Sequence, residues 1–134
     1  MSSIFTKIIA GDIPCYKVAE DAHNIAFLDI RPLKKGHTLC VPKVEVDELY
    51  ELPEEDYQRL MAFSQRVAKA LKKALPCKRI GSMVLGMEVP HAHLHLVPID
   101  AEHELSFANT PLSLNSEEMM SIAASISDAL DSAE

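Results

Sequence analysis

With 134 residues, 48% hydrophobic and 25% charged, the chain suits one folded domain with a single core, residues 1–134, and is too short for two ordinary ones. Its formal net charge of -7 and its lack of any basic block argue against nucleic acid and anionic membrane as partners, since both need clustered Lys and Arg. The cysteines, Cys15, Cys40 and Cys77, include no C-x-x-C pair and are odd in number, so reduced thiols are expected rather than a disulfide framework or a cysteine-rich zinc site.

In chain order, the opening Met-Ser-Ser-Ile-Phe lacks the charged and apolar regions of a secretory leader, and no later run approaches the roughly 18 apolar residues of a membrane span; a cytoplasmic protein is expected. Residues 4–10 read as a short amphipathic helix stopped by Gly11-Asp12 and Pro14. Strands follow at about 16–20 and 24–29 around a turn at Asp21–His23, and a loop with Pro32 and Gly36 leads to a third strand, His37–Val41, ended by Pro42. The clearest helix spans about 53–75, with Pro53 at its first position and Glu54, Glu55 and Asp56 at the positive end of its dipole. Tyr57, Leu60, Met61, Ser64, Val67, Ala68, Leu71 and Leu75 form a stripe at helical spacing. Ala62, Phe63 and Ala70 lie off that stripe and suggest a second covering surface, for which a partner subunit is one candidate. Pro76 ends the helix, Arg79–Leu85 reads as a strand, and Val89–Ile99 as another. A last helix, about 115–131, begins at a capping box of Asn115 and Glu118. The pattern is α+β: a mostly antiparallel sheet with one long helix packed on it, covered on one side.

The chemistry concentrates in His91-Ala-His-Leu-His-Leu-Val-Pro98. Strand alternation sends Ala92, Leu94 and Leu96 to a core and His91, His93 and His95 to the opposite face, with neighbours about 6.5–7 Å apart at the backbone. Three such imidazoles are poor core residues, because each buried ring needs a hydrogen-bond partner. They could bind a metal, as neutral imidazole is a common zinc ligand, but three in a row must reach across roughly 13 Å, and Glu88 is the only nearby carboxylate. Alternatively, the middle ring is a nucleophile towards phosphorus and its neighbours fix its tautomer and bind phosphate oxygens.

This segment resembles the His-φ-His-φ-His-φ-φ motif of the histidine-triad (HIT) family, φ being apolar. Residues 4–14, Ile25–Pro32 and Gly36–Lys43 match the family's opening helix, nucleoside-binding strand and following strand, so the resemblance covers about residues 4–98. It is similar to the Hint-like branch, with a shortened loop before the triad. The resemblance implies that His93 attacks an α-phosphate and forms a nucleotidyl-imidazole intermediate, supported by His91, His95 and a fourth histidine, His37. It implies that Asp29 binds the ribose hydroxyls and that Phe5, Ile8, Ile13, Phe27 and Ile30 form a permissive slot for a purine base. It also implies a homodimer joined through the long helix and a continuous sheet, and no cofactor.

Two departures stand out. Zinc-binding members carry Cys-x-x-Cys in the opening helix, where this chain has Ser3-Ile-Phe-Thr6, so no structural zinc is expected. Before the triad, many members end a longer Asn- and Gly-rich loop in Gly-Gln-Ser/Thr-Val. Here Gly86 and Val89 fit, but Met87 and Glu88 replace the polar pair at the phosphate end. Ionised Glu88 would repel phosphate; a buried one could protonate a leaving group. The expected activity is therefore hydrolysis or transfer at nucleoside monophosphate derivatives such as adenosine phosphoramidates. A dinucleoside polyphosphate hydrolase and a dimeric nucleotide-binding module with little turnover stay open as alternatives.

Overall fold

The computed structural model describes residues 2–132; residues 1, 133 and 134 of the expected domain lie outside the described residues. Five strands, β1 (Lys17–Glu20), β2 (Asn24–Leu28), β3 (Thr38–Pro42), β4 (Arg79–Met83) and β5 (Leu94–Ile99), form one antiparallel sheet in the order β1-β2-β3-β5-β4. Three helices accompany it: α1 (Ile4–Ile9), α2 (Glu54–Ala74) and α3 (Ser116–Ser132). None of the described helices is long and apolar enough to cross a membrane.

Local chemistry sets the boundaries. Asp21 turns the chain between β1 and β2 by accepting the backbone N–H groups of His23 and Asn24 at 2.8 Å each. Gly36 enters β3 with φ +90°, and a Cβ there would lie 2.2 Å from Leu75 Cδ1 at the end of α2, so the turn needs glycine. Leu75 leaves helical geometry because Pro76 follows it. At α3 the Asn115 side chain accepts from the Glu118 N–H at 2.8 Å and the Glu118 carboxylate accepts from the Asn115 N–H at 3.3 Å, the reciprocal cap expected there.

Register divides the side chains into two faces. Cys40, Leu94 and Leu96 join Ala26 and Leu28 in the main core with Leu60, Phe63, Val67, Ala70 and Leu71 of α2. The opposite face carries Ile25, Phe27, Leu39 and Val41, which pack with Phe5, Ile8 and Ile9 of α1.

Four expectations are corrected. The sheet is covered on both faces where it matters: every residue of β2, β3 and β5 is buried, because α1 and the histidines lie over the side expected to be open. Pro53 caps α2 with extended geometry instead of occupying its first turn. Phe63 and Ala70 are buried in the cluster that holds Met119, Ala123, Ile126 and Ala129 of α3, so this chain's own last helix covers that part of the surface, while Ala62 stays exposed. Finally, β5 begins only at Leu94, leaving His91 and His93 in the irregular segment that precedes it.

Candidate active site

The late start of β5 has a local cause. Pro90 supplies no N–H, and the chain instead makes a tight bond from the His91 N–H to the Val89 carbonyl at 2.8 Å, then ties Ala92 N–H to Val46 O at 2.6 Å. The triad thus bends rather than running along one pleat. His95 sits in the sheet, opposite Leu39 and Met83, while His91 and His93 are held by partners of their own. All three rings are buried, as is His37.

Backbone groups fix the protons. The His93 Nδ1 lies 2.7 Å from the His91 carbonyl, which can only accept, so Nδ1 carries hydrogen and the neutral ring keeps its lone pair on Nε2. The Leu33 N–H donates to His37 Nδ1 at 3.0 Å, which leaves the His37 proton on Nε2. That proton points at His95 Nδ1, 3.0 Å away, so the neutral His95 ring carries hydrogen on Nε2. The His91 Nε2 donates to the Pro42 carbonyl at 2.7 Å, and its Nδ1 lies 2.8 Å from the Ser3 hydroxyl. Four rings therefore have defined tautomers, set by Leu33, Pro42 and the triad's own backbone.

Burial also sets their charge. His93 is lowered from the ordinary imidazole value chiefly by desolvation, with its hydrogen bond to the His91 carbonyl acting in the other direction. His95 is pushed down to about 3 by burial and by the neighbouring His93 and His37 rings. His37 is also lowered by burial, partly opposed by the Asp29 carboxylate. These three rings are neutral near pH 7, the state in which the His93 Nε2 lone pair is free to attack.

The other residues singled out by the sequence divide clearly. Asp29 follows β2, accepts the Arg31 N–H at 2.8 Å through one oxygen, and places the other 3.6 Å from His37 Nε2. Phe5 presents its edge to His93, with ring centroids 5.0 Å apart, and to Phe27 at 5.5 Å. Ile8 and Val89 pack on the same cluster. Ile13 is half-buried outside it, and Ile30 is 77% exposed. Glu88 is exposed, and Met87 beside it is 91% exposed. Gly86, with φ +87°, lies beside His93: a Cβ there would be in ordinary contact with its Cε1, at 3.9 Å.

Asp29, His37 and His95 bring three ligand atoms within 4.8 Å of one another, the set among the described residues that could hold a metal. The Leu33 N–H works against ligation, because it keeps the His37 proton on the nitrogen that faces the set.

Sequence reasoning missed several contributors. Phe107 stacks edge-on against His95, with centroids 5.1 Å apart, and lies 6.1 Å from His37. It comes from a loop beyond the recognisable motifs, where no pattern marks it. Glu45 is likewise unmarked, whereas Ser3 carried the visible signature of a helix cap.

A family model described as HIT domain matches residues 10–102. The chain belongs to the HIT family. An adenosine 5'-monophosphoramidase from Schizosaccharomyces pombe is 33% identical over 132 residues, covering 97% of this chain and 99% of that relative. A second, from Saccharomyces cerevisiae, is 38% identical over 96 residues, covering 71% and 61%. Among solved structures, a zinc-bound histidine triad family protein from Mycobacterium smegmatis aligns with TM-score 0.82 at 32% identity, over 100% of this chain and 99% of that one. A Hit-like protein from Bartonella henselae aligns with TM-score 0.83 at 32% identity, over 96% of each chain. These HIT structures share the α+β fold built here from the five-stranded antiparallel sheet.

Proposed function

We propose that this HIT protein hydrolyses or transfers the nucleotidyl group of nucleoside monophosphate derivatives, adenosine phosphoramidates foremost, through a covalent bond to His93. The observation that carries the reading is the hydrogen bond from His93 Nδ1 to the His91 carbonyl, which leaves Nε2 unprotonated in a buried, neutral ring. Two phosphoramidase relatives support the substrate class.

In this reading Nε2 of His93 attacks the α-phosphorus, a P–N bond forms, and the bond to the leaving group breaks as that group takes a proton from solvent water. Water then attacks the same phosphorus, the P–N bond breaks, and the nucleotide leaves; another acceptor in place of water makes the reaction a transfer. His95, donating through Nε2–H because His37 occupies its Nδ1, binds a phosphate oxygen. Asp29 takes the ribose hydroxyls. The base lies against Phe5, Ile8, Phe27 and Val89, with Ile13 and Ile30 closing on it from the half-buried and exposed sides. Glu88, exposed beside Met87, faces the departing group. The protein acts in the cytoplasm as a homodimer joined through α2 and a continuous sheet, to which the free edges of β1 and β4 lend themselves.

Rapid quenching of a reaction with adenosine phosphoramidate, followed by mass spectrometry, is expected to find a nucleotidyl adduct on His93. His93→Ala should lose both adduct and turnover. Full activity in that variant refutes the nucleophile. Binding of nucleotide without turnover of phosphoramidates or dinucleoside polyphosphates by the wild-type protein would replace the enzyme with a binding module.

A further inference from the structure

We infer that Ser3, Thr6 and Glu45 are positioning residues for the triad, forming a metal-free hydrogen-bonded cluster that holds His91 and, through its carbonyl, the ring of His93. The inference rests on the reading of His93 as nucleophile.

The cluster joins three distant parts of the chain. Glu45, in the loop after β3, accepts the Ser3 N–H at 2.8 Å and the Thr6 hydroxyl through the same oxygen. Both hydroxyls reach His91 Nδ1, Ser3 at 2.8 Å and Thr6 at 3.4 Å; the Thr6 proton is committed to Glu45, and the Ser3 proton has the nearer His91 Nδ1 and the Thr6 Oγ1, 3.3 Å away, as its acceptors. The Ser3 oxygen accepts the Thr6 N–H at 3.1 Å, which caps α1, and lies 2.8 Å from His91 Nδ1. Pro42 holds the His91 proton on Nε2, so in the neutral ring Nδ1 is an acceptor and the Ser3 hydroxyl donates to it. Every polar atom of the buried His91 ring is thus satisfied, and the ring cannot rotate without breaking two bonds.

Two consequences reach the reacting atom. The His91 carbonyl that receives the His93 proton belongs to the residue whose side chain the cluster pins. The same cluster fixes α1, whose Phe5 lies edge-on to His91 at 5.8 Å and to His93 at 5.0 Å. Rotation of His93 is therefore opposed both at its Nδ1 and by its packing against Phe5.

The cluster also differs in kind from a metal centre. A zinc-bound HIT protein aligns over the whole of this chain, and where the family resemblance puts Cys-x-x-Cys in zinc-binding members this chain has Ser3-Ile-Phe-Thr6. Ser3 and Thr6 offer neutral hydroxyls, both already engaged, and His91 Nδ1 is filled by one of them. These residues do not fit zinc; hydrogen bonds do the holding.

Imidazole nitrogen resonances, read by NMR on protein labelled at histidine with nitrogen-15, test this alongside kinetics. Ser3→Ala is expected to move the His91 Nδ1 signal and to mix the His93 tautomers. Its kcat should fall about tenfold, as one unpaired buried acceptor implies, while KM stays within about twofold. Ser3→Thr, which keeps the hydroxyl, should restore both. Glu45→Gln, at an exposed position, should lower kcat a few-fold with a smaller shift at His91, and it decides the matter if Ser3→Ala does not fold. Unchanged His91 and His93 signals in Ser3→Ala, a Ser3→Thr protein as impaired as Ser3→Ala, or a His91 signal that moves when zinc is added to the wild type would each overturn the inference. The NMR readout needs no turnover, so failure here is distinct from failure of the nucleophile assignment.

Discussion

Mild acidification should destabilise this protein, and His95 sets the size of the effect. Its folded value is pushed down to about 3 from an ordinary 6.5, chiefly by burial and then by the His93 and His37 rings. Below pH 6.5 the unfolded chain binds a proton at His95 that the folded protein refuses, so stability is full above that pH and falls as pH drops towards the folded value. One such proton is worth about 1.4 kcal/mol per pH unit, hence about 2 kcal/mol between pH 6.5 and about 5. His37 and His93, also lowered, add in the same sense. Glu104, held at about 2 by the Asp100 N–H and Lys34, loses its contribution only as pH falls below the ordinary carboxylate value of 4.5. Urea unfolding at fixed protein concentration across the window should show a slope that His95→Gln reduces by about one proton. Stability that is flat or rises on acidification, or a slope untouched by His95→Gln, would show that the folded protein accommodates the charged ring.

Gly36→Ala should lower stability by about 1–3 kcal/mol, because φ +90° and the approach of Leu75 Cδ1 both oppose a Cβ; thermal unfolding measures it, and an unchanged midpoint contradicts the packing. Turnover should persist after exhaustive chelation. Loss of activity that returns with added metal would instead make Asp29, His37 and His95 a ligand set.

The sequence made most elements readable because their signals are local. Turn and breaker residues, Asp21–His23, Gly36 and Pro42, marked β2 and β3, the acids after Pro53 marked the start of α2, and Asn115 with Glu118 marked α3 to within a residue. The site was legible to the extent that it is written in side chains: His91, His93, His95 and His37 do gather, and Phe5 with Phe27 does pack beside them. What escaped is carried by backbone groups and by distance. Leu33 N–H and Pro42 O fix tautomers without any residue-type signature, and Phe107 and Glu45 reach the histidines from loops with no periodic pattern. The bend before Leu94 escaped for a related reason: alternation of His and apolar residues looks the same whether or not ladder bonds form, and Pro90 is a cue to the difference.

The shortness of α1 has a consequence for motion. Six residues cannot hold a helix by themselves in water, so its order comes from the Ser3 cap and from Phe5, Ile8 and Ile9 docking on the sheet. The wall of the site is therefore among the first parts of the fold to open, and amide hydrogens of residues 6–10 should exchange by local opening rather than global unfolding. A nucleotide seated against Phe5 would slow that exchange selectively. Recognition of substrate and completion of the fold's most fragile layer would then be one event, with affinity limited by how much of the helix is already closed.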